Sequence, residues 1–121
     1  MGNQEAFDLI IAHLLKQKKR ALDEHGLCSY RTMDGAMCAV GYLIQDIELT
    51  PAQNNSCVRD LFTESLEVQA LFKEVDLRFL EDMQNLHDEA TYYEQGGFTT
   101  AGKTKIKTIA RDYHLNAPEQ A

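Results

Sequence analysis

Apolar residues recur at spacings of three and four over most of this chain, the signature of amphipathic helices rather than strands. Phe7, Ile10, Ile11, Leu14, Leu15, Ala21 and Leu22 trace one such face and predict a helix over 4–24. Asn3 stands where an N-cap belongs. Glu5 and Asp8 lie near the start and Lys18, Lys19 and Arg20 near the end, as the helix dipole favours, and Gly26 is a natural stop. The longest pattern comes later. Val68, Phe72, Val75, Phe79, Met83 and Leu86 step by four, three, four, four and three. They predict one helix over 66–90, about 25 residues and roughly 37 Å long. Ile106, Ile109, Ala110 and Tyr113 predict a last helix over 100–115, with Lys103, Lys105, Lys107 and Arg111 outward.

Shorter signals lie between these. Val40, Leu43, Ile44 and Ile47 suit a short buried helix that Cys38 begins. Thr50-Pro51 opens another segment, and Ser56 is placed to cap a helix carrying Val58, Leu61 and Phe62. Around Asp34-Gly35 the pattern changes. Cys28 to Thr32 is strand-like and Ala36-Met37-Cys38 returns, which predicts a short β-hairpin over about 27–38 with positive φ at both central residues of the turn. The expected fold is mainly α: a compact bundle of four or five helices with one short β-hairpin, a single domain over 1–121.

Composition narrows the class. With 121 residues, 44% hydrophobic and 26% charged, the chain has ordinary globular composition. No apolar run approaches the roughly 18 residues of a membrane span, and the first residues lack a secretory signal. The expectation is therefore a cytoplasmic protein without membrane partners. Three cysteines, Cys28, Cys38 and Cys57, then read as free thiols. The net charge is −7, and residues 46–94 hold 12 acids against three bases. Such a chain is poorly suited to gripping a nucleic-acid backbone.

Four constellations bear on chemistry. Gly97-x4-Gly102-Lys103-Thr104 matches the phosphate-loop pattern, but no buried strand precedes it, and the plainer account is a glycine turn followed by a capped helix. Cys28, Cys38 and His87 are candidate zinc ligands, although no fourth ligand presents itself and the cofactor expectation is none. Cys38, His87 and Asp88 would compose a thiol triad, except that adjacent helical side chains point about 100° apart, which places Asp88 badly to orient His87. Glu67, Glu74, Glu81 and Asp88 recur every seven residues and would form an acidic stripe along the long helix. Such a stripe suits a basic partner, a mimic of nucleic acid, or plain solvation.

One segment is more distinctive. It reads Cys28-x-Tyr30-Arg31-x2-Asp34-Gly35-x2-Cys38-Ala39-x-Gly41-x-Leu43-Ile44-x-Asp46, preceded by His13-Leu14-Leu15-Lys16-Gln17 and followed by Leu80-x2-Met83-Gln84-x-Leu86-His87-Asp88. It resembles a family of small proteins encoded mainly by bacteriophages and prophages. The resemblance covers about residues 5–46 and 80–90. It implies a phage setting in the cytoplasm of a bacterial host, and no particular activity. Within that core, Gly41 inside a helix suggests close backbone approach, and Arg31 and Asp34 are placed to pair with each other, to pin the hairpin to Asp46 or Asp88, or to bind a ligand. Arg31, Asp34, Cys38, His87 and Asp88 are the candidate binding residues.

The functional expectation is a small acidic accessory protein that binds a host or phage protein and inhibits a host process such as antiviral defence. The alternative is a site-bearing protein, a Cys/His metal or small-ligand binder or a thiol enzyme, using the hairpin and the end of the long helix. A homodimer through the exposed face of that helix is a further option.

Overall fold

The computed structural model of the chain describes residues 1–26 and 29–118. Among the described residues seven helices and one two-stranded hairpin follow in the order α1 (Asn3–Gln17), α2 (Ala39–Leu43), α3 (Pro51–Asn54), α4 (Val58–Glu64), α5 (Leu66–Leu71), α6 (Leu77–Asp88), β1 (Tyr93–Glu94), β2 (Gly97–Phe98) and α7 (Thr100–Asp112). The protein is mainly α with a short hairpin, as the periodicity predicts. No helix among the described residues is long and apolar enough to cross a membrane.

Helix α6 is the centre of the fold. It packs against α1, α2, α4 and α7, and its end leads into β1. Phe79, Leu80, Met83 and Leu86 of α6 meet Phe7, Ile10, Ile11 and Leu14 of α1 and Ile106 and Ile109 of α7 in one buried core. Tyr113, just past α7, sets its ring edge-on to Phe79 with centroids 5.3 Å apart and donates its hydroxyl to Asp82 Oδ2 at 2.7 Å.

Several boundaries differ from expectation. Helix α1 stops at Gln17 because Lys18 turns left-handed (φ 59°), its N–H still bonded to Leu14 O. Its carbonyl accepts the N–H of Gly96, so the β1–β2 turn holds the exit of α1 in place. Gly2, not Asn3, is the N-cap of α1; the Asn3 side chain instead accepts the N–H of Asp76 at 2.9 Å. Cys57, not Ser56, precedes α4, and the Ser56 hydroxyl turns back to Gln53 O. Thr50 and Gln53 form a reciprocal capping box with Pro51 at the first helical position, as Thr50-Pro51 suggests.

The helix expected over 66–90 is two helices. Helix α5 ends at Leu71, a turn closes with Val75 N–H on Phe72 O, and Asp76 caps α6 by accepting from Arg78 N–H. Phe72 and Val75 stay buried through the turn. The apolar spacing therefore survives a break in the helix, because both helices face the same core.

The paired strands lie at 93–98, with Tyr93 opposite Phe98 and Glu94 opposite Gly97. At Asp34-Gly35 the chain does reverse, but among the described residues the pairing across this turn is one antiparallel bridge between Arg31 and Met37. Only Gly35 takes positive φ (87°) there. Gly35 N–H bonds Thr32 O and Thr32 N–H bonds Ala36 O, a three-residue loop with a left-handed glycine rather than a two-residue turn. Residues 27 and 28, at the start of the expected hairpin, lie outside the described residues. Near the chain ends, Gln4 and Asn116 pair reciprocally: Gln4 Nε2 donates to Asn116 O at 3.1 Å and Asn116 N–H donates to Gln4 Oε1 at 2.8 Å.

Candidate functional site

The last turn of α6 carries the expected pair of His87 and Asp88. His87 is fully buried. Its Nε2 accepts the backbone N–H of Ala21 at 2.9 Å, which leaves the ring proton on Nδ1, donated to Asp88 Oδ1 at 2.7 Å. The expectation that Asp88 is badly placed for His87 is therefore corrected. Nδ1 is the ring nitrogen nearest the backbone, within reach of the short carboxylate of the next residue. Gln84 completes the unit: Nε2 donates to Asp88 Oδ1 at 3.1 Å and Oε1 accepts Val40 N–H at 3.1 Å at the start of α2. Arg20 Nη1 donates to Asp88 O at 2.8 Å. The end of α6 thus ties down both the segment after α1 and the first turn of α2.

Arg31 and Asp34 do not pair with each other. Arg31 Nη2 donates to the carbonyls of Ile44 and Ile47, closing the C-terminal end of α2 where the helix dipole favours a cation. Asp34 bonds Lys19 Nζ at 2.7 Å, and its other oxygen accepts from Thr32 Oγ1 and from Ala36 N–H. The hydrogen bond from Lys19, followed by those from Thr32 and Ala36, holds this carboxyl well below the ordinary range. The reversing loop is also fastened to α1. Gln17 exchanges two bonds with the backbone of Met37, both at 2.8 Å, and His13 Nε2 donates to Met37 O at 2.8 Å while its ring stacks on Tyr42.

The cysteines divide. Cys38 is buried at the N-cap of α2, its Sγ accepting Gly41 N–H at 3.3 Å. Cys57 is an exposed free thiol. Cys28 lies outside the described residues. Both ring nitrogens of His87 are already engaged by Ala21 and Asp88, so in this arrangement it has no lone pair for zinc. Among the described residues no group of three or more His, Cys, Asp and Glu side chains is arranged to hold a metal.

The match at 97–104 is a hairpin-to-helix junction. Gly97 pairs with Glu94, Thr99 caps α7 by accepting Gly102 N–H at 3.0 Å, and Gly102 packs on the Tyr92 carbonyl, where a Cβ would come within 1.9 Å. The acidic residues do not form one stripe. Glu67 lies on α5, Glu74 in the turn, and Glu81 and Asp88 on α6. Glu81 bonds Arg59 at 2.8 Å and Glu74 is 3.9 Å from the N-terminal amine.

What sequence reasoning missed is a polar cavity of about 370 Å³ beside α6. Glu81, Gln84 and Asp88 form one wall, residues 54–58 a second, and Ser29 and Tyr30 a third. Tyr30 is only 2% exposed, and burial pushes the pKa of its phenol well above the usual range. The spacing of Glu81 and Asp88 hinted at a shared face; nothing in the sequence brought residues 29–30 and 54–58 to it.

Comparison with family models, with curated proteins and with solved structures finds no match for the chain.

Proposed function

We propose that this protein acts by binding, docking the exposed patch around Leu66, where α4 meets α5, on a basic surface of a partner protein. One observation carries the reading. Leu66 is 80% exposed at the start of α5, and the exposed carboxylates of Glu64 and Glu67 flank it. A large apolar side chain rimmed by like charge suits a partner with an apolar socket inside a basic rim. A second copy of the chain would set acid against acid on this patch, so it favours a basic partner over a homodimer. His87, Cys38 and Arg31, the residues nominated for chemistry, are all engaged in hydrogen bonds within the fold, which further favours binding over catalysis. The resemblance of the 28–46 segment to phage proteins supports a partner in an infected bacterial cell, with inhibition of a host process as the proposed action.

The test compares the wild type with a Leu66→Ser, Glu64→Lys, Glu67→Lys variant, each purified from the infected host. The expected result is one protein held by the wild type and lost from the variant, with the thermal melt unchanged. The same proteins retained by both, or none by either, overturns the reading.

A further inference from the structure

The geometry points to the outward face of α7 as a docking surface for the phosphate backbone of double-stranded DNA. This goes beyond the docking reading at Leu66 and does not depend on it.

Helix α7 buries Gly102, Ile106, Ile109 and Ala110 and turns Lys103, Lys107 and Arg111 to solvent. These three cations stand four residues apart and form one ridge along the helix, rising about 6 Å per step and about 12 Å in all. One strand of a DNA duplex presents about three phosphates over that axial length. The fold does not neutralise the ridge. Lys103 and Lys107 make no ion pair or hydrogen bond among the described residues, and Arg111 reaches only its exposed neighbour Asp112, at 3.6 Å. In a chain with 19 acids against 12 bases, α7 carries no acid before Asp112, while residues 46–94 gather 12. The net charge of −7 therefore argues against adhesion over the whole surface, and not against a contact confined to this helix.

The rest of the face selects the class of partner. Beside the cations the exposed residues are Thr100, Ala101 and Thr104. The face offers no aromatic or large aliphatic anchor, on which the centre of a protein interface relies. It also lacks the aromatic platform on which single strands stack their bases. Phosphate contacts need neither. Small side chains next to the ridge let the helix come close, and the major groove of B-DNA, about 12 Å wide, admits an α-helix. The corresponding groove of duplex RNA is deep and narrow, which disfavours it as the partner.

The probe is an end-labelled DNA duplex of about 16 base pairs and mixed sequence, titrated with the full chain and followed by fluorescence anisotropy. Three phosphate contacts predict a slope of about −2.7 in log K against log salt, so affinity should fall about 20-fold between about 50 and 150 mM salt. Lys103→Glu together with Lys107→Glu should weaken binding by about tenfold or more and cut the slope to about −0.9, with the thermal melt unchanged. Arginine at both positions should keep the binding. Lys16→Glu together with Lys73→Glu makes the same change in net charge at exposed positions off α7, and should leave affinity and slope as they were. Four outcomes overturn the inference: no binding at the lower salt, a flat salt response, equal loss from the two double reversals, or poly-L-glutamate bound as tightly as the duplex, which would make the face a site for an acidic protein. Single-stranded DNA or duplex RNA bound as tightly as duplex DNA overturns it as well.

Discussion

Gly41 presses its bare Cα against the backbone of Tyr30: a Cβ built there would lie 2.1 Å from the Tyr30 carbonyl oxygen. That carbonyl cannot swing aside cheaply, since it accepts Cys38 N–H at 3.1 Å. Alanine in a helix ordinarily gains about 1 kcal/mol over glycine. Here the contact is with fixed backbone, and the overpacking cost, about 1–3 kcal/mol or more, outweighs the gain. Gly41→Ala should therefore lower the urea midpoint, and a midpoint at or above that of the wild type would show that the backbone yields.

Arg31 is a brace for α2. Arg31→Met keeps much of the stem but removes the donor shared by the carbonyls of Ile44 and Ile47. Hydrogen bonds from charged donors contribute about 1.5–3 kcal/mol, so a loss of about 2 kcal/mol is expected by chemical denaturation. Unchanged stability would reopen a ligand-binding role for this guanidinium.

His87→Phe fills a similar volume but leaves the N–H of Ala21 without its acceptor. An unsatisfied buried donor costs about 1–3 kcal/mol. The measurement is the urea midpoint together with exchange of the Ala21 amide, which should lose its protection. In the wild type, nitrogen NMR should find the ring proton of His87 on Nδ1.

Burial pushes the pKa of His13 below its usual value near 6.5, with His87 adding to the effect and the bond to Met37 opposing it. The unfolded chain then binds a proton at a pH where the folded one does not. Stability should be full above about pH 6.5 and fall as the pH drops from there towards the depressed folded value. His13→Gln should flatten that part of a stability-against-pH profile, and an unchanged slope would assign it to other groups.

Much of the helical framework could be read from spacing alone. Phe7, Ile10, Ile11 and Leu14 do face the core, Thr50-Pro51 does start a helix, and Gly41 does mark a close approach. The break at 72–76 could not be read from apolar spacing, because Phe72 and Val75 keep their place in the pattern while the backbone turns. The signal was polar: Asp76 ahead of Leu77 and Phe79 is a capping residue inside an apparently continuous run. Lys18 gave less warning, since a left-handed lysine has no sequence signature and is held by Gly96 from 78 residues away. The site residues were legible as a set but not in role. Arg31 and His87 bind main-chain atoms, and which atoms those are depends on where the chain returns. The cavity joins three distant segments and depends wholly on tertiary structure.

The reciprocal amide pair of Gln4 and Asn116 sets two segments 112 positions apart side by side. In topological terms the described residues nearly close a ring at this pair. A short flexible linker from Pro118 to Met1, with new ends cut in the exposed stretch at Glu24 and His25, should give a circular permutant with the same core.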